Sequence, residues 1–169
     1  MFAALVLSAW AALAAPEPGD AAAQLVRDAC ISTGMQTEAF ERLGRDRRWR
    51  RAPLATPLSE QLASYAGFLT RDALVTLSTT LSSPGEPVVH NIACTVMSNG
   101  VDGDWLPEVE VLAAEMELDR VDVLSALPVT EEVHVWSDGP GEQFLTVNYV
   151  PERRVLSITY VKRVPSPAA

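Results

Sequence analysis

The residues best suited to chemistry form one arginine cluster near the first third of the chain. Five guanidinium groups fall within seven positions, with a tryptophan among them: Arg45, Arg47, Arg48, Trp49, Arg50 and Arg51. Guanidinium groups bind carboxylates and phosphates through paired, charge-assisted hydrogen bonds. The cluster therefore predicts an anion-binding site, whose partner is an acidic protein or an anionic component of a cell envelope.

Two structural explanations compete with that interpretation. Residues 101–142 hold twelve Asp or Glu residues against the single Arg120, so the cluster would be neutralised within the chain. A solvated loop is the other explanation, because runs of charge usually face water. Pro53 and Pro57 follow the cluster and indicate a connector rather than a helix interior.

The two histidines give a weaker indication of chemistry. His90 and His134 both fall on predicted strands, at no spacing typical of metal ligands. His134 shares a strand face with Glu132 and Trp136, an arrangement in which Glu132 would orient a general base. A packed surface histidine is the alternative. We predict no catalytic residue, metal or cofactor, since nucleophile and phosphate-binding motifs are missing from the sequence as well.

The N-terminal segment of the chain indicates export. Residues 1–15 carry no charged side chain and end in Ala-Leu-Ala-Ala before Pro16, which predicts a secretory signal cleaved after Ala14 or Ala15. This segment is shorter than the ~20 residues of a membrane-spanning helix. We therefore expect a periplasmic or secreted protein with no integral membrane span in the mature chain, a single domain at 16–163 and a disordered tail at 164–169.

Composition and cysteine content agree with that location. The formal charge of −9 argues against nucleic acid as a partner. Cys30 and Cys94 are the only cysteines, and in an oxidising compartment they predict one disulfide. Closing a loop of about 65 residues would stabilise the fold by ~4 kcal/mol in the chain-entropy model.

The clearest structural pattern lies between Phe144 and Val161. Apolar residues alternate on both sides of a four-residue turn that begins with Pro151, which predicts a β-hairpin. If Val150 pairs with Val155, all six large side chains share one face: Leu145, Val147, Tyr149, Leu156, Ile158 and Tyr160.

The other elements follow from periodicity and capping residues. We predict helices from Asp20 towards Gly34, from Thr37 to Leu43 with Gly44 as its end, and from Asp104 onwards. The third helix carries an apolar stripe: Trp105, Val109, Leu112 and Met116. Strands are predicted at 73–81, 88–97 and 132–136, whereas 58–70 fits either a short helix or a strand, and 119–128 either a further short helix or irregular chain. The predicted order is ααββαβββ, an α+β domain with an antiparallel sheet of about five strands.

Three functions remain open at this level. The first is an exported, non-catalytic binding or accessory protein that uses the arginine cluster. The second is a small-ligand sensor, because the last five strands and their helix resemble PAS- or profilin-like domains in element order; its pocket would be lined by Trp105, Tyr149 and Tyr160. The third is a hydrolase that uses His90 or His134. Exposure of Trp49, Trp136 and Phe144 would favour a partner-binding surface.

Overall fold

The computed structural model describes residues 18–53, 62–81, 89–121 and 132–165. Within these ranges the helices are α1 (Pro18–Val26, continued by a π-helical turn at Arg27–Ile31), α2 (Thr37–Asp46) and α3 (Leu106–Glu115). The strands are β1 (Arg50–Arg51), β2 (Leu62–Leu69), β3 (Ala73–Leu81), β4 (Val89–Asn99), β5 (Asp119–Val121), β6 (Glu132–Ser137), β7 (Gln143–Val150) and β8 (Val155–Pro165).

The strands form one antiparallel sheet in the order β1-β2-β3-β4-β8-β7-β6-β5. The chain therefore builds two four-stranded meanders, each preceded by a helix: α2 comes before β1 to β4, and α3 comes before β5 to β8. The last strand of each meander lies at the centre, where β4 and β8 pair over their full lengths of eleven residues. The two halves of the sheet thus meet along one long seam.

The α+β class is confirmed, but the predicted strand number and element order are wrong. The sheet has eight strands where about five were predicted. Strand β1 lies inside the predicted connector, β2 occupies the segment that fitted either a helix or a strand, and β5 begins the segment predicted as a short helix or irregular chain. Both β1 and β5 are short edge strands with charged residues, so pairing with a neighbouring strand, rather than local propensity, determines them.

The predicted hairpin is confirmed in its register. Val150 pairs with Val155 beside the turn, and Leu145 pairs with Tyr160 at the far end of the six predicted apolar residues. The large side chains of this set are buried on one face of the sheet. A short 3₁₀ turn at Pro151–Arg153 connects the strands.

The helices cover one face of the sheet only. Helix α1 packs on the central strands β4 and β8, and α2 packs on β2. Side chains on this face, such as Leu77, Ile158 and Leu145, are fully buried or nearly so. Their neighbours in the same strands point to the opposite face and are half-buried or exposed. Because no helix of the described ranges packs on this opposite side of the sheet, we call it the uncovered face.

Helix α3 carries the predicted apolar stripe towards the sheet. Trp105, Val109 and Leu112 are buried, and Met116 is half-buried against the same core. The helix begins at Leu106 with Trp105 at the cap position and forms no capping hydrogen bond from a side chain. The predicted cap at Asp104 is therefore one residue too early.

The disulfide joins the helical layer to the sheet. Cys30 and Cys94 are bonded, with their Cα atoms 5.7 Å apart and both residues fully buried. Cys30 lies in the π-helical turn after α1, and Cys94 lies in the central strand β4. The two cysteines thus lie within bridging range, as the predicted disulfide requires. The bond is consistent with an extracellular or periplasmic location.

Helix α2 continues past the glycine that was predicted to end it. Gly44 lies within the helix, which runs to Asp46. A Cβ atom at position 44 would lie 2.5 Å from Cζ of Phe68 on strand β2. Glycine is therefore required here for the close approach of helix and sheet, and not for a change of chain direction.

The ends of the chain fall largely outside the described residues. The predicted signal sequence at 1–15 and residues 166–169 of the predicted tail lie there, while β8 extends to Pro165. Among the helices of the described ranges, none is long and apolar enough to cross a membrane.

Candidate functional site

The arginine cluster lies where α2 ends and the first edge of the sheet begins. Arg45 is in the last turn of α2, and Arg50 and Arg51 form strand β1. Within the described part of the chain, β1 pairs only with β2 and is therefore an edge strand. We call the five side chains of this region the basic edge: Arg45, Arg47, Arg48, Arg50 and Arg51.

The turn inside the basic edge has a defined helix-ending geometry. The Trp49 N–H donates to the Gly44 carbonyl at 2.9 Å, and the Arg48 N–H donates to the Arg45 carbonyl at 3.0 Å. These two bonds form a Schellman motif, whose left-handed position is usually glycine. Here that position is Arg48, with φ of +56°. The motif holds an arginine side chain at the surface in a backbone conformation that costs about 1–2 kcal/mol for a residue with a Cβ.

Three of the five arginines contact carboxylates of the N-terminal helical region. Arg47 pairs with Asp28 at 3.0 Å, while Arg45 and Arg51 both pair with Glu41. The side chains of these three arginines remain more than half exposed. The alternative of neutralisation by residues 101–142 does not hold for these three, whose partners are Asp28 and Glu41.

The other two arginines, Arg48 and Arg50, are exposed and make no ion pair with any described residue. Arg50 borders a surface cleft of about 340 Å³ at the turn between β2 and β3. Arg71 adds a second guanidinium to this cleft. The cleft is lined by Arg50, Leu69, Thr70, Arg71, Asp72, Ala73, Leu74 and Asn99.

The tryptophan within the cluster is a packing residue. Trp49 is half-buried, and its ring lies 6.3 Å from that of Phe68, which in turn lies 5.5 Å from Phe40 of α2. These rings fix the turn between α2 and β1 against the sheet. The arginines are therefore held on a rigid support, although Trp49 offers little free surface to a partner.

Packing also accounts for Trp136 and Phe144, whose exposure the sequence left open. Trp136 is 3% exposed and lies on the helix-covered face, against His134. Phe144 is half-buried on the uncovered face, where the Arg163 guanidinium lies 4.7 Å from its ring centroid. A single patch formed by Trp49, Trp136 and Phe144 is therefore ruled out, because Phe144 faces away from both tryptophans.

His134 is partly buried against two aromatic rings and an arginine. Its ring stacks on Trp136 at 5.9 Å and meets Trp105 edge-on at 5.5 Å. Its Nδ1 lies 2.6 Å from Nη2 of Arg120, and because arginine only donates, Nδ1 accepts this hydrogen bond. Partial burial, and then the nearby positive charge of Arg120, lower the pKa of His134 below its usual value of 6.5.

This arrangement differs from that of a general base oriented by Glu132. The side chain that orients His134 is Arg120, whose guanidinium also lies 3.4 Å from Glu110 on α3. Sequence reasoning missed Arg120 as a partner of His134. Its position as the single cation between residues 101 and 142 was the available signal.

The three residues predicted to line a small-ligand pocket do not lie together. The Trp105 and Tyr149 rings lie 5.5 Å apart, and the Tyr149 hydroxyl donates to the Val101 carbonyl at 3.0 Å. Tyr160 lies elsewhere, beside the disulfide, where its hydroxyl contacts Gln143. Burial, followed by the nearby charge of Asp138, raises the pKa of Tyr160. Among the described residues, the three predicted lining residues therefore form no common pocket.

A second charged contact joins α3 to the π-helical turn that follows α1. Arg27, in the π-helical turn, donates to both carboxylate oxygens of Glu115 on α3, at 2.7 and 3.2 Å. These hydrogen bonds raise the pKa of Arg27 and lower that of Glu115. No group of three or more metal-binding side chains occurs among the residues that the structure describes.

The chain matches no protein-family model, no curated protein and no solved structure. Fold and surface therefore define the class of this protein by themselves: a disulfide-bonded α+β domain with one helix-covered sheet and a basic edge.

Proposed function

We propose that this chain is an exported, non-catalytic binding domain whose basic edge holds an acidic segment of a partner protein. The observation that carries the proposal is Arg48. Its exposed side chain has no carboxylate partner among the described residues, and it occupies the left-handed position that glycine favours. The turn thus presents a guanidinium group to solvent, where an acidic segment of a partner can reach it.

The charge distribution favours a narrow acidic segment over a flat anionic membrane. The chain carries −9 overall, and five of its thirteen Lys and Arg residues lie at this one edge. A membrane surface would face the negative charges of the domain as well as its basic edge, whereas an extended acidic segment contacts the edge alone. We therefore assign the anionic group to a partner protein.

The edge strand supplies a second element of recognition. Strand β1 is only two residues long, and within the described ranges its outer side carries no neighbouring strand. An extended segment placed alongside it adds backbone hydrogen bonds to the charge contacts of Arg48 and Arg50. The cleft beside Arg50 and Arg71 offers room for an acidic side chain of that segment.

The export component of the proposal rests on two features. Residues 1–15 have the composition of a secretory signal, and Cys30 is bonded to Cys94. We place the mature protein in the periplasm or outside the cell.

A binding titration with a defined probe tests the proposal. The probe is a fluorescein-labelled oligoglutamate peptide, followed by fluorescence anisotropy at low and at high salt. The test variant is Arg45→Ser/Arg47→Ser/Arg48→Ser, and the matched control is Arg153→Ser/Lys162→Ser/Arg163→Ser, at exposed positions away from the basic edge. Both variants change the net charge of the protein by the same amount.

We expect the native protein and the control to bind with similar affinity and the test variant to bind at least about tenfold more weakly. The affinity of the native protein should fall as salt rises. Equal weakening by both triple variants would show that binding depends on net charge alone, and this would contradict the proposal. Binding of phosphatidylglycerol vesicles without binding of the peptide would assign the edge to a membrane instead.

A further inference from the structure

We propose that Asn99 is a site of spontaneous chemical modification, at which its side-chain amide is converted to a carboxylate. The conversion requires no enzyme, because the neighbouring backbone supplies the nucleophile and water supplies the oxygen. The inference concerns one residue at the end of β4, and the reaction itself does not rest on the proposed binding function.

The reaction begins at the peptide nitrogen of Gly100. This nitrogen loses its proton to hydroxide and attacks Cγ of Asn99, the bond from Cγ to the side-chain nitrogen breaks, and ammonia leaves. The product is a cyclic succinimide. Water then adds to one of the two ring carbonyl carbons and breaks the adjacent C–N bond, which gives aspartate or, after attack at the former backbone carbonyl, isoaspartate. The net change is amide plus water to carboxylate plus ammonium, so no oxidant or reductant is needed.

The residue that follows Asn99 favours this attack. Glycine has no Cβ, so its nitrogen is approached more easily than that of a residue with a side chain. An ideal Cβ placed at Gly100 would have no atom within 4 Å, so water reaches this part of the chain. The other asparagines of the chain, Asn91 and Asn148, are each followed by a large side chain instead.

The structure leaves both reacting groups free to move. Asn99 is the last residue of β4 and is exposed, and its side chain makes no hydrogen bond within the described ranges. Gly100 lies just beyond the strand with φ of +72°, and its N–H donates to none of the described residues. Rotation that brings Cγ to the nitrogen therefore breaks no hydrogen bond of the amide or of the attacking N–H.

The fold restrains the two other asparagines. Asn91 lies within β4 between β3 and β8, and Asn148 lies within β7 between β6 and β8. Both are half-buried. Attack at either residue requires local opening of the central sheet, which costs far more free energy than motion at the end of a strand. Sequence and fold thus direct the reaction to the same residue.

The location of Asn99 gives the new charge a consequence. Asn99 lines the cleft beside the basic edge, together with Arg50, Arg71 and Asp72. A carboxylate at this position opposes the attraction between the cleft and an acidic segment. This consequence rests on the proposed function, and it predicts that binding by the basic edge weakens as the protein ages.

Peptide mapping by mass spectrometry tests the conversion. The purified chain is incubated in mildly alkaline buffer, both folded and unfolded in guanidinium chloride. In the folded protein we expect Asn99 to convert at least about tenfold faster than Asn91 and Asn148, since opening is easiest outside the strands. Aspartate and isoaspartate should both appear at position 99. Asn99→Gln should stay unmodified there, because closure of the larger ring is slow.

Three results would overturn the inference. They are the absence of conversion at Asn99, equal rates at the three asparagines of the folded protein, and conversion of Asn99 in guanidinium chloride alone. The last result separates an effect of the fold from an effect of the Asn-Gly sequence, because the sequence is the same in both samples.

Anisotropy titration with the oligoglutamate probe tests the consequence for binding. Asn99→Asp should bind at least about threefold more weakly than Val111→Glu, which adds the same charge at an exposed position on α3. Equal affinities of these two variants would overturn the effect on binding. A native protein that binds no probe would contradict the proposed function instead, and the conversion rates would still decide whether Asn99 is modified.

Discussion

The ring of Phe68 occupies the space that a side chain at Gly44 would need. The Cζ, Cε1 and Cε2 atoms of the ring all lie within 2.7 Å of an ideal Cβ at position 44. Because position 44 has no side chain, α2 approaches β2 closely. The turn that carries Arg48 comes immediately after α2 in the chain. The basic edge thus depends on one glycine inside a helix.

Replacement of that glycine should destabilise the protein in spite of alanine's higher helix propensity. For Gly44→Ala we expect a loss of about 1–3 kcal/mol in the free energy of unfolding, because the new methyl group overlaps the Phe68 ring. Urea denaturation measures the change. The variant Gly44→Ala/Phe68→Leu should recover part of the loss, whereas an equal loss in both variants would show that the ring contact is not the cause.

Replacement of Arg48 should separate stability from binding. Arg48→Gly relieves the left-handed strain and should raise the free energy of unfolding by about 1 kcal/mol, while it weakens binding of the oligoglutamate probe. Arg45→Gly removes the same charge from within the helix and should lower stability by about 1 kcal/mol. A stabilised Arg48→Gly variant with native affinity for the probe would remove the support that Arg48 gives to the proposed function.

Loss of the disulfide should reduce stability substantially. The bond connects residues 64 positions apart, and Cys30→Ser/Cys94→Ser should lower the free energy of unfolding by about 2–5 kcal/mol. Urea denaturation with and without a reducing agent checks this prediction. The reductant should destabilise the native protein by a similar amount and leave the double variant unaffected, and a response of the double variant would point to some other effect of the reductant.

His134 should make stability depend on pH. Its pKa is lowered in the folded state by partial burial and by Arg120, so below its usual value of 6.5 the unfolded chain binds more protons than the folded protein. His134 therefore contributes fully to the free energy of unfolding above pH 6.5. This contribution is lost as the pH falls towards the lower pKa that His134 has in the folded protein. Protonation also removes the lone pair that accepts from Arg120.

The measurement compares urea midpoints at about pH 7.5 and about pH 5.5, on either side of the histidine range. His134→Gln keeps an acceptor for Arg120 and should lose less stability on acidification than the native protein. His90→Gln, on strand β4, is the control and should retain the native pH response. An identical response in all three proteins would assign the effect to other groups.

Local sequence patterns correctly predicted the elements whose formation follows from the spacing of their own apolar residues. The hairpin register followed from the alternation around Pro151, and the α3 stripe followed from its i, i+4 and i+7 spacing. The cysteine pair followed from composition alone. In each case the information lies within a few residues or in a residue type, so no knowledge of distant neighbours was required.

Such local patterns could not predict the edge strands or the contacts between residues far apart in the sequence. Strands β1 and β5 are two and three residues long and form because a neighbouring strand offers partners. Gly44 resembled a helix end, because the Phe68 ring that requires it lies on another element. The arginine cluster was located by sequence, but its pairing with Asp28 and Glu41 depends on the packing of α1 and α2.

The measurement that tests the central claim most directly is an NMR titration of the ¹⁵N-labelled protein with unlabelled oligoglutamate peptide. We predict that backbone amide shifts concentrate at Arg45 to Arg51 and in the neighbouring part of β2, and that they shrink as salt is added. Amides of α3 and β5, where acidic residues predominate, should stay unchanged. Saturable binding whose shifts lie away from the basic edge would contradict the proposed function.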